Sequence, residues 1–179
     1  MEKTFKEFPS IPRLSKDMVI TEKIDWTNAC VVVTEKWEVF AQSRSRVITT
    51  EDDNYWFAKR VEKNKDELIK LWVWYHYGEW WGNGIQRNYW LKEKRFSLFV
   101  FRWEELPSCV SVVPVLYTWI FDTSKIQEVM NDLCDHWSYA SEWFMKPEWI
   151  VIYHTAAKQV FKKTFENDEW KWKANLIHN

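Results

Sequence analysis

Several short segments of this chain carry side chains that could act directly in chemistry. Lys23 lies in the strand-like run TEKIDWTNAC, Glu79 in the glycine-containing segment GEWWGNG, Glu148 before an apolar run, and Lys162 and Lys163 side by side. A lysine amine becomes a nucleophile where burial and neighbouring cations favour loss of its proton. Carboxylates can hold a divalent ion or a polar ligand. Each of these residues taken alone also fits a solvated surface charge.

Strand patterns place most of these residues on a sheet. The apolar run over residues 18–24 predicts a strand that contains Lys23. The runs over 29–34 and 38–42 predict a hairpin. Further strands are predicted over residues 72–80, 96–101, 110–116, 150–153 and 160–165.

Helical patterns are fewer. Charged and apolar residues at helical spacing predict one helix over residues 51–71, with Thr50, Asp52 or Asp53 as its N-cap. A second helix is predicted over 124–134. Because strands occur in runs between only two helices, the order predicts an α+β fold with antiparallel sheets flanked by helices.

The composition excludes several classes of protein. The chain has 179 residues, of which 46% are hydrophobic and 28% charged, with a net charge of -1. These values disfavour disorder and a generally basic nucleic-acid-binding surface. No apolar run approaches the roughly 20 residues of a membrane span, and no signal peptide is evident. We expect one cytoplasmic, monomeric domain over residues 1–179, with a polar tail from 169, and no zinc or disulfide pattern.

Glycine is unusually rare in this chain, and tryptophan is unusually common. The chain contains 3 glycines and 15 tryptophans, whereas glycine usually makes up about 7% of residues. Many of the tryptophans occur in polar, turn-like surroundings, where a positive φ suits glycine and not a bulky residue. Those of interest are Trp37, Trp56, Trp90, Trp119 and Trp137.

Taken in chain order, the charged segments resemble the motifs of one enzyme family. The letters KIDWTN at residues 23–28 are similar to the KxDGxN motif of ATP-dependent RNA ligases, which form a lysyl-nucleotide adduct. The segments that follow in the family's order are QSRSR (42–46), Gly78 with Glu79, FSLF (96–99), EWIVIY (148–153) and VFKKT (160–164). With FKEFPSIPRL upstream, the resemblance extends from about residue 5 to residue 168.

The resemblance implies a nucleotidyltransferase domain and a role for each motif residue. Lys23 would attack the α-phosphorus of ATP, and the AMP would then pass to an RNA 5′-phosphate before a 3′-hydroxyl displaces it. Glu148 would act beside Mg²⁺ or Mn²⁺, and Lys162, with Lys163 as a second contributor, would hold phosphate charge. The other residues implied in ATP binding are Glu22, Asn28, Arg44, Glu79 and Phe96, with Arg46 and Phe99 as alternatives to Arg44 and Phe96.

The resemblance also implies limits on domain content and RNA binding. The sixteen residues after Lys163 are too few for the OB domain of DNA ligases and capping enzymes, so we expect a stand-alone adenylyltransferase domain without a C-terminal OB domain. RNA ends would then be bound by local basic patches around residues 44–46, 92–95 and 158–163.

Two departures from the family motifs agree with the low glycine and high tryptophan content of the chain. Trp26 replaces the glycine of the first motif, and Trp149 replaces the glycine of the EGxVx motif. We hypothesise that many glycines of a ligase sequence have become tryptophans here. Trp26 either fills the pocket floor or offers adenine a stacking face. The chain is then an active RNA ligase or a catalytically impaired nucleotide- or RNA-binding variant; an aromatic-rich interaction domain is the alternative of another class.

Overall fold

A computed structural model describes residues 5–25, 27–99, 105–147 and 149–164 of the chain. Over these residues it contains ten strands and three helices. In chain order they are β1 (Asp17–Lys23), β2 (Thr27–Val33), β3 (Val39–Ser43), β4 (Val47–Ile48), α1 (Phe57–Lys63), α2 (Lys65–Leu68), β5 (Trp74–Gly82), β6 (Lys94–Leu98), β7 (Ser111–Val112), β8 (Val115–Ile120), α3 (Thr123–Asp135), β9 (Trp149–His154) and β10 (Gln159–Thr164).

The strands form two sheets. One has four strands in the order β10-β9-β1-β8, and the other has six in the order β4-β3-β2-β5-β6-β7. Neighbouring strands are antiparallel except β6 and β7, which are parallel. The predicted α+β class is confirmed, and consecutive strands pair directly in most of the larger sheet.

Each sheet has its own apolar cluster. Side chains such as Val31, Phe57 and Leu71 are buried where α1 and α2 cover the six-stranded sheet. Ile20 and Leu133 are buried where α3 covers the four-stranded sheet. Burying a side chain of this size contributes roughly 1.5–3 kcal/mol, so the two clusters hold both sheets in place. Within the described residues, no helix has the length and apolar character that crossing a membrane requires.

The first helical region differs from the prediction. The single helix expected over residues 51–71 is wrong, because α1 and α2 are separate short helices with non-helical Asn64 between them. Of the three N-cap candidates, Asp53 is the one that serves the helix, since its carboxylate accepts hydrogen bonds from the backbone N–H groups of Ala58 (2.7 Å) and Lys59 (3.1 Å). It thereby satisfies donors that the first turn leaves unpaired.

One predicted strand is interrupted. The run expected over 110–116 forms β7 and, after Val113 and Pro114, β8, which belong to different sheets. Proline has no N–H for a ladder, so it marks the crossing between the sheets. The carbonyl of Pro114 accepts a hydrogen bond from the N–H of Glu22 (3.0 Å), which ties this crossing to β1.

Four tryptophans have left-handed backbones. Their φ angles are 62° at Trp37, 68° at Trp56, 54° at Trp90 and 67° at Trp143. All four side chains are mostly exposed. The strained backbone at these positions is therefore not combined with packing a large ring into the core. The glycine-like geometry expected at Trp37, Trp56 and Trp90 is confirmed. It is wrong for Trp119, which lies in β8, and for Trp137, whose φ is not positive.

Candidate functional site

An enclosed cavity of about 410 Å³ lies between the two sheets. Such a volume suits a small organic ligand. Its walls are mainly apolar, and Lys23 and Glu79 bring polar ends to it. The lining residues are Val19, Thr21, Glu22, Lys23, Ile24, Glu79, Phe99, Val113, Val151, Tyr153 and Val160.

Strand register positions Lys23 at this cavity. Lys23 is the last residue of β1 and is half-buried. Because alternate residues of a strand face the same side, it shares a face with Val19 and Thr21, which also line the cavity. Its partner in β9 is Trp149, whose backbone is described. The strand predicted over residues 18–24 is confirmed, with observed bounds of Asp17–Lys23.

Glu79 and Asn28 form a pair on the opposite wall. They are directly opposite in β5 and β2, and the Asn28 amide nitrogen donates to both Glu79 carboxylate oxygens at 3.4 Å. Burial raises the pKa of Glu79 to about 9, although the charge of Lys23 and the Asn28 amide act to lower it. Glu79 is therefore protonated at neutral pH and can donate a hydrogen bond to a ligand.

The Glu22 side chain makes different contacts from those of its neighbour Lys23. Its carboxylate accepts hydrogen bonds from the Ser138 hydroxyl (2.5 Å) and the Ala140 N–H (3.1 Å). Burial raises its pKa, and these hydrogen bonds partly oppose that shift. The Glu22 side chain thus joins β1 to the segment after α3, while the residue still borders the cavity.

The backbone after Lys23 is held by a loop that the sequence analysis missed. The Asp25 carboxylate lies 3.2 Å from the Arg87 guanidinium, and the Asp25 N–H donates to the Tyr89 hydroxyl (2.8 Å). Tyr89 is buried and stacks on Phe144 at 4.2 Å between ring centroids. Nothing in the sequence marks Arg87 and Tyr89 except that they follow the glycine-containing segment, so only the fold reveals their contact with the first motif.

Register separates the two lysines of β10. Lys162 pairs with Val151, whose side chain lines the cavity, so Lys162 lies on the cavity face. Lys163 pairs with Ile150, which is buried in the cluster beneath α3. Lys163 therefore lies on the opposite face of the sheet from Lys23.

Of the two phenylalanine candidates, the geometry favours Phe99. Phe96 is buried in the core, 5.0 Å from the ring of Phe57, and does not line the cavity. Phe99 does line it and is 40% exposed. The slight preference for Phe96 in the sequence analysis therefore does not fit this placement, because β6 points Phe96 at α1.

The two arginine candidates lie at the exposed turn between β3 and β4. Arg46 is held by Asp52 in a two-pronged ion pair with distances of 2.5 and 2.9 Å. Among the described residues Arg44 has no such acidic partner. Neither arginine lines the cavity, so this turn is apart from Lys23 in the structure.

Four sequence predictions concern positions or side chains that the structure leaves undescribed. Trp26 and Glu148 lie outside the described residues, as does the polar tail, and the Trp149 side chain is likewise not described. Over the described residues, no group of three His, Cys, Asp or Glu side chains could hold a metal ion.

Comparison with known proteins supports the motif-based interpretation. A sequence model described as RNA ligase matches residues 16–164. The fold is similar to a Naegleria gruberi RNA ligase mutant with ATP and Mn, at TM-score 0.63 and 20% identity over 89% of this chain and 52% of that chain. It is also similar to a mutant of that ligase with AMP and Mn, at TM-score 0.59 and 18% identity over 84% of this chain and 50% of that chain.

The match to the sequence model and the matches to solved structures establish different things. This chain spans about half the length of the ligase chains it matches. A search of curated proteins gives no match. At such identities the solved structures show a shared nucleotidyltransferase fold, whereas the sequence model covers most of the chain. This protein belongs to the RNA ligase family.

Proposed function

We propose that this chain is the adenylylating part of an ATP-dependent RNA ligase that joins 5′-phosphate and 3′-hydroxyl ends of RNA. The observation that carries the proposal is the placement of Lys23 and Glu79 on facing walls of one enclosed cavity. The family membership and the order of the motifs support it. So do the complexes of the N. gruberi ligase with ATP or AMP.

The proposed chemistry begins at the Lys23 amine. It attacks the α-phosphorus of ATP, a nitrogen–phosphorus bond forms, and the bond to pyrophosphate breaks. The RNA 5′-phosphate then displaces the lysine and takes the AMP. Finally an RNA 3′-hydroxyl attacks that 5′-phosphate and releases AMP, so that one phosphodiester bond is made for each ATP consumed.

The cavity walls suit the nucleoside of this substrate. Ile24 and Val113 offer apolar contact to a purine, and the ring of Phe99 can stack on it. The protonated carboxyl of Glu79 would donate a hydrogen bond to the nucleoside, and Asn28 orients that carboxyl. Lys162, on the cavity face, would hold phosphate oxygens.

A divalent ion has a place in this scheme beside the nucleotide. Glu79 is a poor metal ligand while it is protonated. The ion would be held by Glu148, together with phosphate oxygens of ATP. Bound Mg²⁺ or Mn²⁺ would offset the negative charge of the ATP phosphates.

The β10 lysines give a matched pair of variants. Lys162→Ala is expected to slow lysyl-AMP formation by roughly 10-fold or more, because a charged hydrogen bond to phosphate contributes about 1.5–3 kcal/mol. Lys163→Ala changes the same charge on the opposite face and is expected to slow it by less than about 3-fold. Quenched-flow measurement of adduct formation checks this. Equal losses in both variants would contradict the assignment by register.

The position of Trp149 supports a second candidate function, that of a catalytically impaired variant of the ligase. Trp149 stands at the register position directly opposite Lys23, and the family motif has glycine there. The chain would then bind ATP but form lysyl-AMP slowly or not at all. The third idea, an aromatic-rich interaction domain, loses support because four of the exposed tryptophans are explained by glycine-like backbone positions.

One experiment tests the function and separates the two candidates. The protein is incubated with ATP and Mg²⁺, and intact mass and peptide mapping locate any AMP. We expect the adduct on Lys23, and none after Lys23→Ala. An adduct that forms only after Trp26→Gly and Trp149→Gly assigns this chain to the impaired class. If folded wild-type and glycine variants both bind ATP without forming an adduct, the ligase chemistry is wrong.

A further inference from the structure

A second groove, of about 450 Å³, lies between α1 and the start of β6. Trp80 lines this groove whereas its neighbour Glu79 lines the cavity. Since successive strand residues face opposite sides, the groove and the cavity are on opposite faces of the six-stranded sheet. We call it the basic groove, after the cations that line it: Lys59, Arg60, Lys63, Lys92 and Lys94.

The positive charge of the basic groove is concentrated. Among the described residues that line it, Glu93 is the one acidic residue, and its carboxylate lies 2.9 Å from Arg95. The whole chain, by contrast, has a net charge of -1. Cations in the last turn stabilise a helix, which accounts for Arg60 and Lys63.

Helix stability does not account for the remaining cations. Lys59 is one turn before Lys63, and like charges at that spacing destabilise a helix. Lys92 and Lys94 come from a different element and line the same groove. Cations that converge from two elements on a concave surface favour binding of an extended polyanion.

We propose that the basic groove binds the phosphate backbone of the RNA strand whose end enters the cavity. This inference rests on the proposed function. Lys94 pairs with Gly82, three residues along β5 from Glu79. At roughly 3.3 Å per residue the groove therefore begins about 10 Å from the cavity wall. A strand leaving the cavity around this end of the sheet would meet Lys94 first and then the lysines of α1.

The test measures binding of a labelled, 5′-phosphorylated single-stranded RNA by fluorescence anisotropy over a range of salt concentrations. Lys59→Gln with Lys63→Gln is expected to weaken binding about tenfold at low salt. It is also expected to reduce the slope of log affinity against log salt by roughly 1.4, since each phosphate contact contributes about 0.7 for single strands. The control is Lys36→Gln with Lys125→Gln, which removes the same charge elsewhere.

The outcomes are distinguishable. Equal loss in the two double variants would overturn the proposal, because net charge alone would then explain binding. Unchanged RNA binding with lost binding of poly-glutamate would also overturn it, in favour of an acidic polypeptide. Lysyl-AMP formation, measured in parallel, is expected to be the same in both double variants. If the wild type forms no lysyl-AMP, the proposed function fails, whereas the RNA titration still decides the role of the groove.

An independent observation concerns the tryptophans with left-handed backbones. These positions have the geometry of glycine, and the motif comparison places glycine at two further tryptophans. The codon UGA is translated as tryptophan in some genetic codes and as glycine in others. We infer that the source organism reads UGA as glycine and that its protein carries glycine at Trp37, Trp56, Trp90 and Trp143.

Trp80 provides the contrast. It lies in β5 without a positive φ, is buried, and its indole N–H donates to the Tyr55 carbonyl at 2.9 Å. The test is to read the gene's codons and to map peptides of the protein made in its source cells. We expect UGA and glycine at the four left-handed positions, and UGG and tryptophan at Trp80. Tryptophan at the four positions in the source protein would overturn the inference.

Discussion

Replacing Trp37 with glycine is expected to raise the free energy of unfolding by roughly 0.5–1 kcal/mol. A left-handed backbone costs a residue with a β-carbon about 1–2 kcal/mol, and glycine returns about 0.5–1 kcal/mol of this as extra entropy in the unfolded chain. The Trp37 side chain is 58% exposed, so little packing is lost. The four left-handed sites together would add about 2–4 kcal/mol, a large part of a typical stability of ~5–15 kcal/mol.

Trp119→Gly is the matched control for this prediction. The Trp119 side chain is 67% exposed, compared with 58% for Trp37. Unlike Trp37, Trp119 lies in the extended strand β8. Glycine there is expected to lower the free energy of unfolding by roughly 0.5–1 kcal/mol. Urea denaturation of each variant measures both changes. If Trp37→Gly and Trp119→Gly shifted stability in the same direction, the left-handed backbone would not be the cause.

Glu79→Gln is expected to flatten the dependence of stability on pH. The folded state raises the pKa of Glu79 from 4.5 to about 9, so between these values the folded chain holds a proton that the unfolded chain has lost. The contribution of Glu79 to stability is therefore fully present below about pH 4.5 and falls as pH rises towards 9, by about 1.4 kcal/mol per pH unit. The wild type should lose about 2–3 kcal/mol more than the variant between about pH 6 and pH 8.

Denaturant titrations at the two pH values check this difference. Comparing the wild type with Glu79→Gln isolates one group, because Glu22, whose pKa burial also raises, is present in both proteins. Glu35→Gln, at an exposed turn, is the control that removes one carboxylate elsewhere in the chain. Parallel slopes for the wild type and Glu79→Gln would show that Glu79 is not held protonated by burial.

The two predictions concern different parts of the molecule. Glycine at the left-handed positions would relieve backbone strain outside the cavity, whereas a protonated Glu79 would give the cavity a hydrogen-bond donor opposite Lys23. The lysyl-AMP assay decides whether that arrangement is productive. The pH test reports on Glu79 alone, and it does so whether or not the chain proves active.

The sequence was sufficient for the family and for the strand that carries Lys23. Apolar runs predicted β1, β2 and β3, and the resemblance of the charged segments, in chain order, to known motifs indicated the RNA ligase family, because both are local properties of the chain. The left-handed backbones at Trp37, Trp56 and Trp90 were predicted from their turn-like surroundings, because several turn types need a positive φ. The same reasoning failed at Trp119 and Trp137, because not every turn-like segment has a positive φ.

Only the tertiary structure decided which side chains meet. Whether Lys162 or Lys163 faces Lys23 depends on the register between β10 and β9, which a shift of one residue would reverse. Phe96 is directed into the core by packing against α1, and Tyr89 reaches Asp25 across 64 residues of sequence. The high pKa of Glu79 arises from burial between two sheets, and burial depends on contacts between distant parts of the chain, which local sequence patterns do not contain.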